Sequence, residues 1–158
     1  MKNIVVEGPD GSGKSTLVNR IAQCVPFLIQ PGAGPPKSPQ EIRQRAFGYM
    51  KLEHKIFDRH PLISELIYGR FRDPPTYIPQ PHIKFFYQSE PLIIYCYGRG
   101  RVHETKNYDT PKHLALIEDH DEEIRKAYDE WADTHAHYQY SIPDHPDEIL
   151  EACMEYCK

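Results

Sequence analysis

VVEGPDGSGKST, residues 5–16, starts with two valines and an acid and then runs through six residues, Gly8 to Gly13, too small or too turn-prone for a helix or strand interior. Lys14, Ser15 and Thr16 follow at once. Gly8, Gly13, Lys14 and Ser15 fit the spacing G-x-x-x-x-G-K-[ST], with an apolar strand (Ile4-Val5-Val6) before it and a helical pattern (Thr16 to Val25) after it. The physical reading is a cradle for a polyphosphate. Glycines let backbone N–H groups turn inward, the next helix offers its positive N-terminal end, Lys14 reaches the outer phosphates and the Ser15 hydroxyl faces Mg²⁺. The stretch Gly8, Pro9, Asp10, Gly11, Ser12, Gly13, Lys14, Ser15 and Thr16 is therefore the expected nucleotide-binding segment. The plainer alternative is a glycine-rich turn that only caps a helix.

Outward from this stretch the chain alternates short apolar runs with longer helical patterns. Phe27-Leu28-Ile29 precedes Pro39 to Leu52, Lys55-Ile56-Phe57 precedes Pro61 to Phe71, Pro91 to Tyr97 precedes Pro111 to Thr134, and Tyr138 to Ile142 precedes Pro146 to Tyr156. Strand then helix, five times, implies right-handed crossovers and a three-layer α/β fold: a five-stranded parallel sheet with helices on both faces, as in P-loop NTPases. Residues 30–37, 73–80 and 98–109 read as loops. Many of the prolines fall in the first two or at helix starts, where a missing N–H costs little.

At 158 residues the chain is long enough for one folding unit with a substantial core. No apolar run approaches the length of a membrane span, and MKNIVVEG shows no export signal, so the cytoplasm is the expected location. Cys24, Cys96, Cys153 and Cys157 form no C-x-x-C pair and read as reduced thiols rather than zinc ligands. His135 and His137 lack an evident third ligand. A net charge of −4 argues against general nucleic-acid binding, so an anionic ligand must be held locally.

Three stretches carry a family resemblance. EGPDGSGKST (residues 7–16) resembles the loop of thymidylate kinases, E-G-x-D-G-[AS]-G-K-[ST]; Pro31-Gly32-Ala33-Gly34 with Glu41-Ile42-Arg43 is similar to their R-E-P-G-G-T segment and the helix after it. Phe57-Asp58-Arg59-His60 with Ser64 and Tyr68 resembles D-R-[HY]-x-x-S-x-x-A-Y-Q. The second half matches nucleoside monophosphate kinases in outline. Departures are Gln30, where the family has an acid, Gly69, where it often has Gln, and only about two dozen residues between the Pro-Gly loop and Asp58, fewer than the family uses.

The resemblance implies a single nucleotide kinase domain over residues 1–158, with a lid at about 98–110. It implies transfer of the γ-phosphate of ATP, with Mg²⁺, to a nucleoside monophosphate such as dTMP, and dimerisation is common in the family. Transfer to an anionic acceptor needs positioning and charge neutralisation more than a base. On this reading Lys14, Arg59, Asp10 and the lid arginines Arg99 and Arg101 are catalytic, with Gly98 and Gly100 supplying backbone freedom. Ser15 and Asp58 hold the metal. The acceptor meets Asp10 through a sugar hydroxyl, Arg59 and Arg43 or Arg45 through its phosphate, and Phe47 or Tyr49 through stacking, with Asp58 and Tyr68 also in its site. His60 is a packing or orienting residue.

Two other readings compete. A deoxynucleoside kinase shares the fold but phosphorylates a neutral hydroxyl, needs a carboxylate base, and usually has no acid at the place of Asp10. A P-loop hydrolase or switch would use Ile56-Phe57-Asp58 as its second Mg²⁺ motif, but has less use for the arginine that follows.

Overall fold

The computed structural model describes residues 2–98, 111–142 and 144–158. Five strands, β1 (Ile4–Glu7), β2 (Leu28–Gln30), β3 (Lys55–Asp58), β4 (Leu92–Cys96) and β5 (Tyr138–Tyr140), form one parallel sheet in the order β2-β3-β1-β4-β5. The strand that feeds the glycine-rich loop is thus central. All residues of β1 and β4 are buried, as expected of parallel strands covered on both faces. β2 lies at the edge and is short, with Leu28 and Ile29 exposed.

Strand alternation sorts the core into two layers. Ile4, Val6, Ile56, Ile94 and Cys96 point to one side and pack with α1 (Lys14–Ala22) and α6 (Asp147–Tyr156). Val5, Phe57, Ile93 and Tyr95 point to the other, where α2 (Pro39–Tyr49), α3 (Pro61–Tyr68) and α5 (Pro111–His135) supply Ile42, Ala46, Leu62, Ile63, Tyr128 and Trp131. The same alternation addresses the polar strand ends. Glu7 follows Val5 toward α3 and α5, and Asp58 follows Ile56 toward α1.

A further helix, α4 (Gln80–Gln88), lies in a stretch with no element assigned from sequence. Pro79 and Pro81 flank its first residue and disguise it, yet proline is compatible with a helix start. It buries Phe86 against the α3–α5 layer. The third helix is shorter than the sequence pattern suggests, passing at Gly69 into a 3-10 turn, Gly69–Phe71. Proline serves as an early residue of α2 and α3 as expected; Ser38 caps α2 by accepting from the Glu41 N–H at 3.1 Å. No helix among the described residues is long and apolar enough to cross a membrane.

Candidate active site

At the carboxyl edge of the sheet the loop after β1 turns tightly beneath the start of α1. Gly8 and Gly13 have φ of 155° and 84°, and a Cβ on Gly8 would stand 2.1 Å from the Cys96 carbonyl oxygen at the end of β4. Only glycine fits there. Lys14 is buried, its Nζ donating to the Pro9 carbonyl at 2.7 Å and to Ser12 Oγ at 3.2 Å. Burial, with the Arg59 guanidinium next, pulls its ammonium down to about 7 despite Asp10 and Glu7 nearby.

Ser15, in the first turn of α1, donates from Oγ to Asp58 Oδ2 at 2.7 Å. Two oxygen ligands of the expected metal, distant in sequence, thus meet beside the loop. Among the described residues no cluster of three or more His, Cys, Asp and Glu could hold a metal alone. A hydroxyl and one carboxylate suit Mg²⁺, which completes its shell with water and phosphate oxygens.

Arg59 follows Asp58 with φ of 71°, a left-handed conformation that costs a non-glycine residue about 1–2 kcal/mol. Its N–H donates to the Val6 carbonyl at 3.1 Å, and the turn sends the side chain across the end of β1. There Nη2 pairs with Asp10, Nη1 donates to the Tyr128 hydroxyl at 3.3 Å, and Cζ lies 5.6 Å from the Tyr68 ring centroid. Burial alone would raise the Asp10 carboxyl, but Arg59, His113 and Lys14 together hold it well below the usual carboxylate range. Burial likewise opposes the Arg59 charge, yet the groups facing it, Tyr68 and Asp10 foremost, keep it firmly protonated.

Beneath Arg59 sits Glu7, fully buried. Its Oε1 accepts from the His60 N–H and Ser64 Oγ, each at 2.8 Å; its Oε2 accepts from the Tyr128 hydroxyl at 2.9 Å and the Gly8 N–H at 3.3 Å. One carboxylate thus ties together the glycine-rich loop, the end of β3, α3 and α5.

A cavity of about 270 Å³ opens beside this network. Asp10, Ser15, Asp58, Arg59, Arg45 and Tyr49 line it, and so do Tyr68, Glu65, Arg72 and His113. Arg45 donates to the Gly34 carbonyl at 2.6 Å and pairs with Glu41, while Tyr49 stacks on Phe57 at 5.6 Å. Arg43 and Phe47 are placed elsewhere: both are exposed and absent from the cavity wall, and Lys51 Nζ lies 4.2 Å from the Phe47 ring. The reason is helical phase. Ile42 and Ala46 bury one face of α2, and Arg43 and Phe47, four apart, share a face that turns from it. Arg99 and Arg101 lie outside the described residues.

Glu7, Tyr128, His113, Glu65 and Arg72 were not anticipated as site residues. His113 Nε2 stands 3.7 Å from Asp10 Oδ2, its ring 5.6 Å from that of Tyr68. Arg72 donates to both oxygens of Glu65, Nε at 2.6 Å and Nη2 at 3.2 Å.

His60 caps α3: its Nδ1 accepts from the Leu62 N–H at 3.2 Å, and its ring packs 4.9 Å from Phe57 and 4.7 Å from Phe86. Burial pushes its imidazole down to about 3. Between about pH 6.5 and 3 the unfolded chain therefore binds a proton that the folded chain refuses. This contribution to stability is complete above pH 6.5 and is lost as pH falls through that window. A His60→Asn chain keeps a capping acceptor without titrating. It should be less stable at pH 7, through lost packing, and the gap should narrow by up to about 1.4 kcal/mol per pH unit on acidification. Urea melts from pH 7 to 4 measure this; a constant gap would mean that His60 takes up its proton in the fold as readily as in the unfolded chain.

No protein-family model matches the chain, and no curated protein does. Among solved structures, the YorR protein of Bacillus subtilis in complex with phosphorylated GDP superposes with a TM-score of 0.67 at 16% identity, over 97% of this chain and 94% of that one. The fold is that of the P-loop NTPases. Deoxyadenosine kinase from M. mycoides, in a structure with the products dCMP and dCDP, superposes with a TM-score of 0.53 at 18% identity, over 98% and 97% of the two chains. With dATP bound, the same kinase gives 0.51 at 20%.

Proposed function

We propose that the chain is an ATP-dependent nucleoside monophosphate kinase, resembling thymidylate kinases, that transfers a phosphoryl group to a dTMP-like acceptor. One observation carries the reading: Arg59, paired with Asp10 of the glycine-rich loop, lines the cavity beside that loop together with Arg45 and Arg72, and each carboxylate of that lining has a partner. Asp10 is paired with Arg59, Asp58 with Ser15, and Glu65 with Arg72. The lining arginines Arg45, Arg59 and Arg72 are themselves paired, with Glu41, Asp10 and Glu65. A guanidinium nevertheless has five N–H donors and can hold an acceptor phosphate as well, whereas a carboxylate already engaged by a cation is poorly placed to deprotonate a sugar hydroxyl. A monophosphate oxygen, already anionic, needs no such base.

In this mechanism Lys14 and the loop amides hold the β- and γ-phosphates, and Arg59 neutralises charge where the phosphoryl group moves. Ser15 and Asp58 would hold Mg²⁺, which would supply positive charge to offset that of the triphosphate. Asp10 accepts from a sugar hydroxyl of the acceptor, Arg45 approaches its phosphate, and Tyr49 and Tyr68 flank the base. Arg99 and Arg101 close on the triphosphate.

A deoxynucleoside kinase is the second reading, favoured by the likeness to the M. mycoides kinase. ADP release with MgATP, measured over a panel of nucleosides and their monophosphates, separates the two. Turnover with monophosphates, dTMP among them, is expected; turnover with nucleosides alone would overturn the proposal.

A further inference from the structure

We infer that Tyr128 is a positioning residue whose hydroxyl acts as a spacer, keeping the Arg59 guanidinium at the cavity wall and off the buried Glu7 carboxylate. The inference deepens the kinase reading and rests on it for its effect on turnover. Tyr128 sits on α5, far in sequence from both partners, and is fully buried. Its ring packs 6.0 Å from Tyr68 and 6.0 Å from Tyr95, so its oxygen cannot wander.

That oxygen stands between two charges. It donates its proton to Glu7 Oε2 at 2.9 Å and accepts from Arg59 Nη1 at 3.3 Å. Burial, reinforced by the Glu7 charge, pushes the phenol well above its ordinary value, so the proton stays in place. Arg59 Nη1 is also 4.0 Å from Glu7 Oε2, beyond a hydrogen bond but within strong attraction in a dry interior. Asp10 pulls Nη2 the other way, toward the loop. The guanidinium therefore rests where Asp10, Tyr128 and the face of Tyr68 agree. Without the hydroxyl, Glu7 loses a donor and Arg59 Nη1 is the cation beside it, so the guanidinium moves inward by about an ångström, a displacement able to cost about a hundredfold in rate.

Tyr128→Phe preserves the ring and tests this. Melting temperature should change little, because a new Arg59–Glu7 contact replaces two hydrogen bonds; kcat should fall ten- to a hundredfold with KM for MgATP nearly unchanged. A purely structural role would instead lower the melting temperature and leave kcat alone. The Arg59 Nε–Hε resonance, assigned by its absence in Arg59→Lys, should shift in Tyr128→Phe even without substrates. An unshifted resonance with unchanged kcat would overturn the spacer. If the parent chain transfers phosphate to no acceptor, the kinase reading fails, and the resonance still decides where Tyr128 holds Arg59.

Discussion

Arg59→Ala is expected to lower the rate of phosphoryl transfer by about a thousandfold or more, the range commanded by a single arginine on a moving phosphoryl group. The KM for ATP should change far less, because the glycine-rich loop and Lys14 hold the triphosphate. The backbone adds a control. At φ 71° alanine keeps the strain that arginine bears, whereas glycine carries none. Arg59→Gly should thus be as inactive as Arg59→Ala yet more stable by about 1 kcal/mol. Both lose stability relative to the parent, because Asp10, largely buried, is left without its main counter-charge. Initial rates of ADP release and chemical melts of the three chains supply the comparison. A rate loss below about tenfold would take Arg59 out of the chemistry, and equal stability of the glycine and alanine chains would take the strain out of the backbone argument.

How far the sequence could be read depends on where each contact arises. Residues 8–16 were legible because a phosphate cradle is local: its glycines, lysine and hydroxyls are neighbours in the chain. The sheet was legible because strands buried on both faces must be apolar throughout, as Ile4-Val5-Val6 and Leu92-Ile93-Ile94 are. The meeting of Ser15 and Asp58 was reachable once β3 was placed beside β1. Glu7 and Tyr128 were not, since their bond crosses 121 positions and depends on how α5 packs. A faint signal existed: Tyr128 lies in the buried stripe Ile124, Ala127, Trp131, where a hydroxyl needs a polar partner. Similarly, Ile42 and Ala46 fix the inward face of α2 and would have favoured Tyr49 over Phe47. Nothing local marks Arg59 as left-handed, because the turn is tied to β1 by a long-range backbone contact, the Arg59 N–H to the Val6 carbonyl.

Lys14→Met should lower kcat/KM for ATP by at least about a hundredfold, as loss of a preorganised phosphate donor does. Its effect on the empty protein should run in the opposite direction. The ammonium is buried and pulled down to about 7, from 10.5 in an open chain. At pH below 7 the folded chain bears the full cost of that charge; between 7 and 10.5 the unfolded chain binds a proton the folded chain has released, so stability rises with pH. Methionine has no such cost. The stabilisation of Lys14→Met over the parent should be largest at pH 6 and shrink toward pH 10. A triphosphate reverses the balance by presenting negative charge to Nζ, so the parent should take up close to one proton on binding nucleotide at pH 8.5. Calorimetry in buffers of different ionisation enthalpy counts that proton. Zero uptake at pH 8.5, with tight binding retained, would mean that Lys14 is already charged in the closed loop and that the carboxylates of Asp10 and Glu7 outweigh its burial.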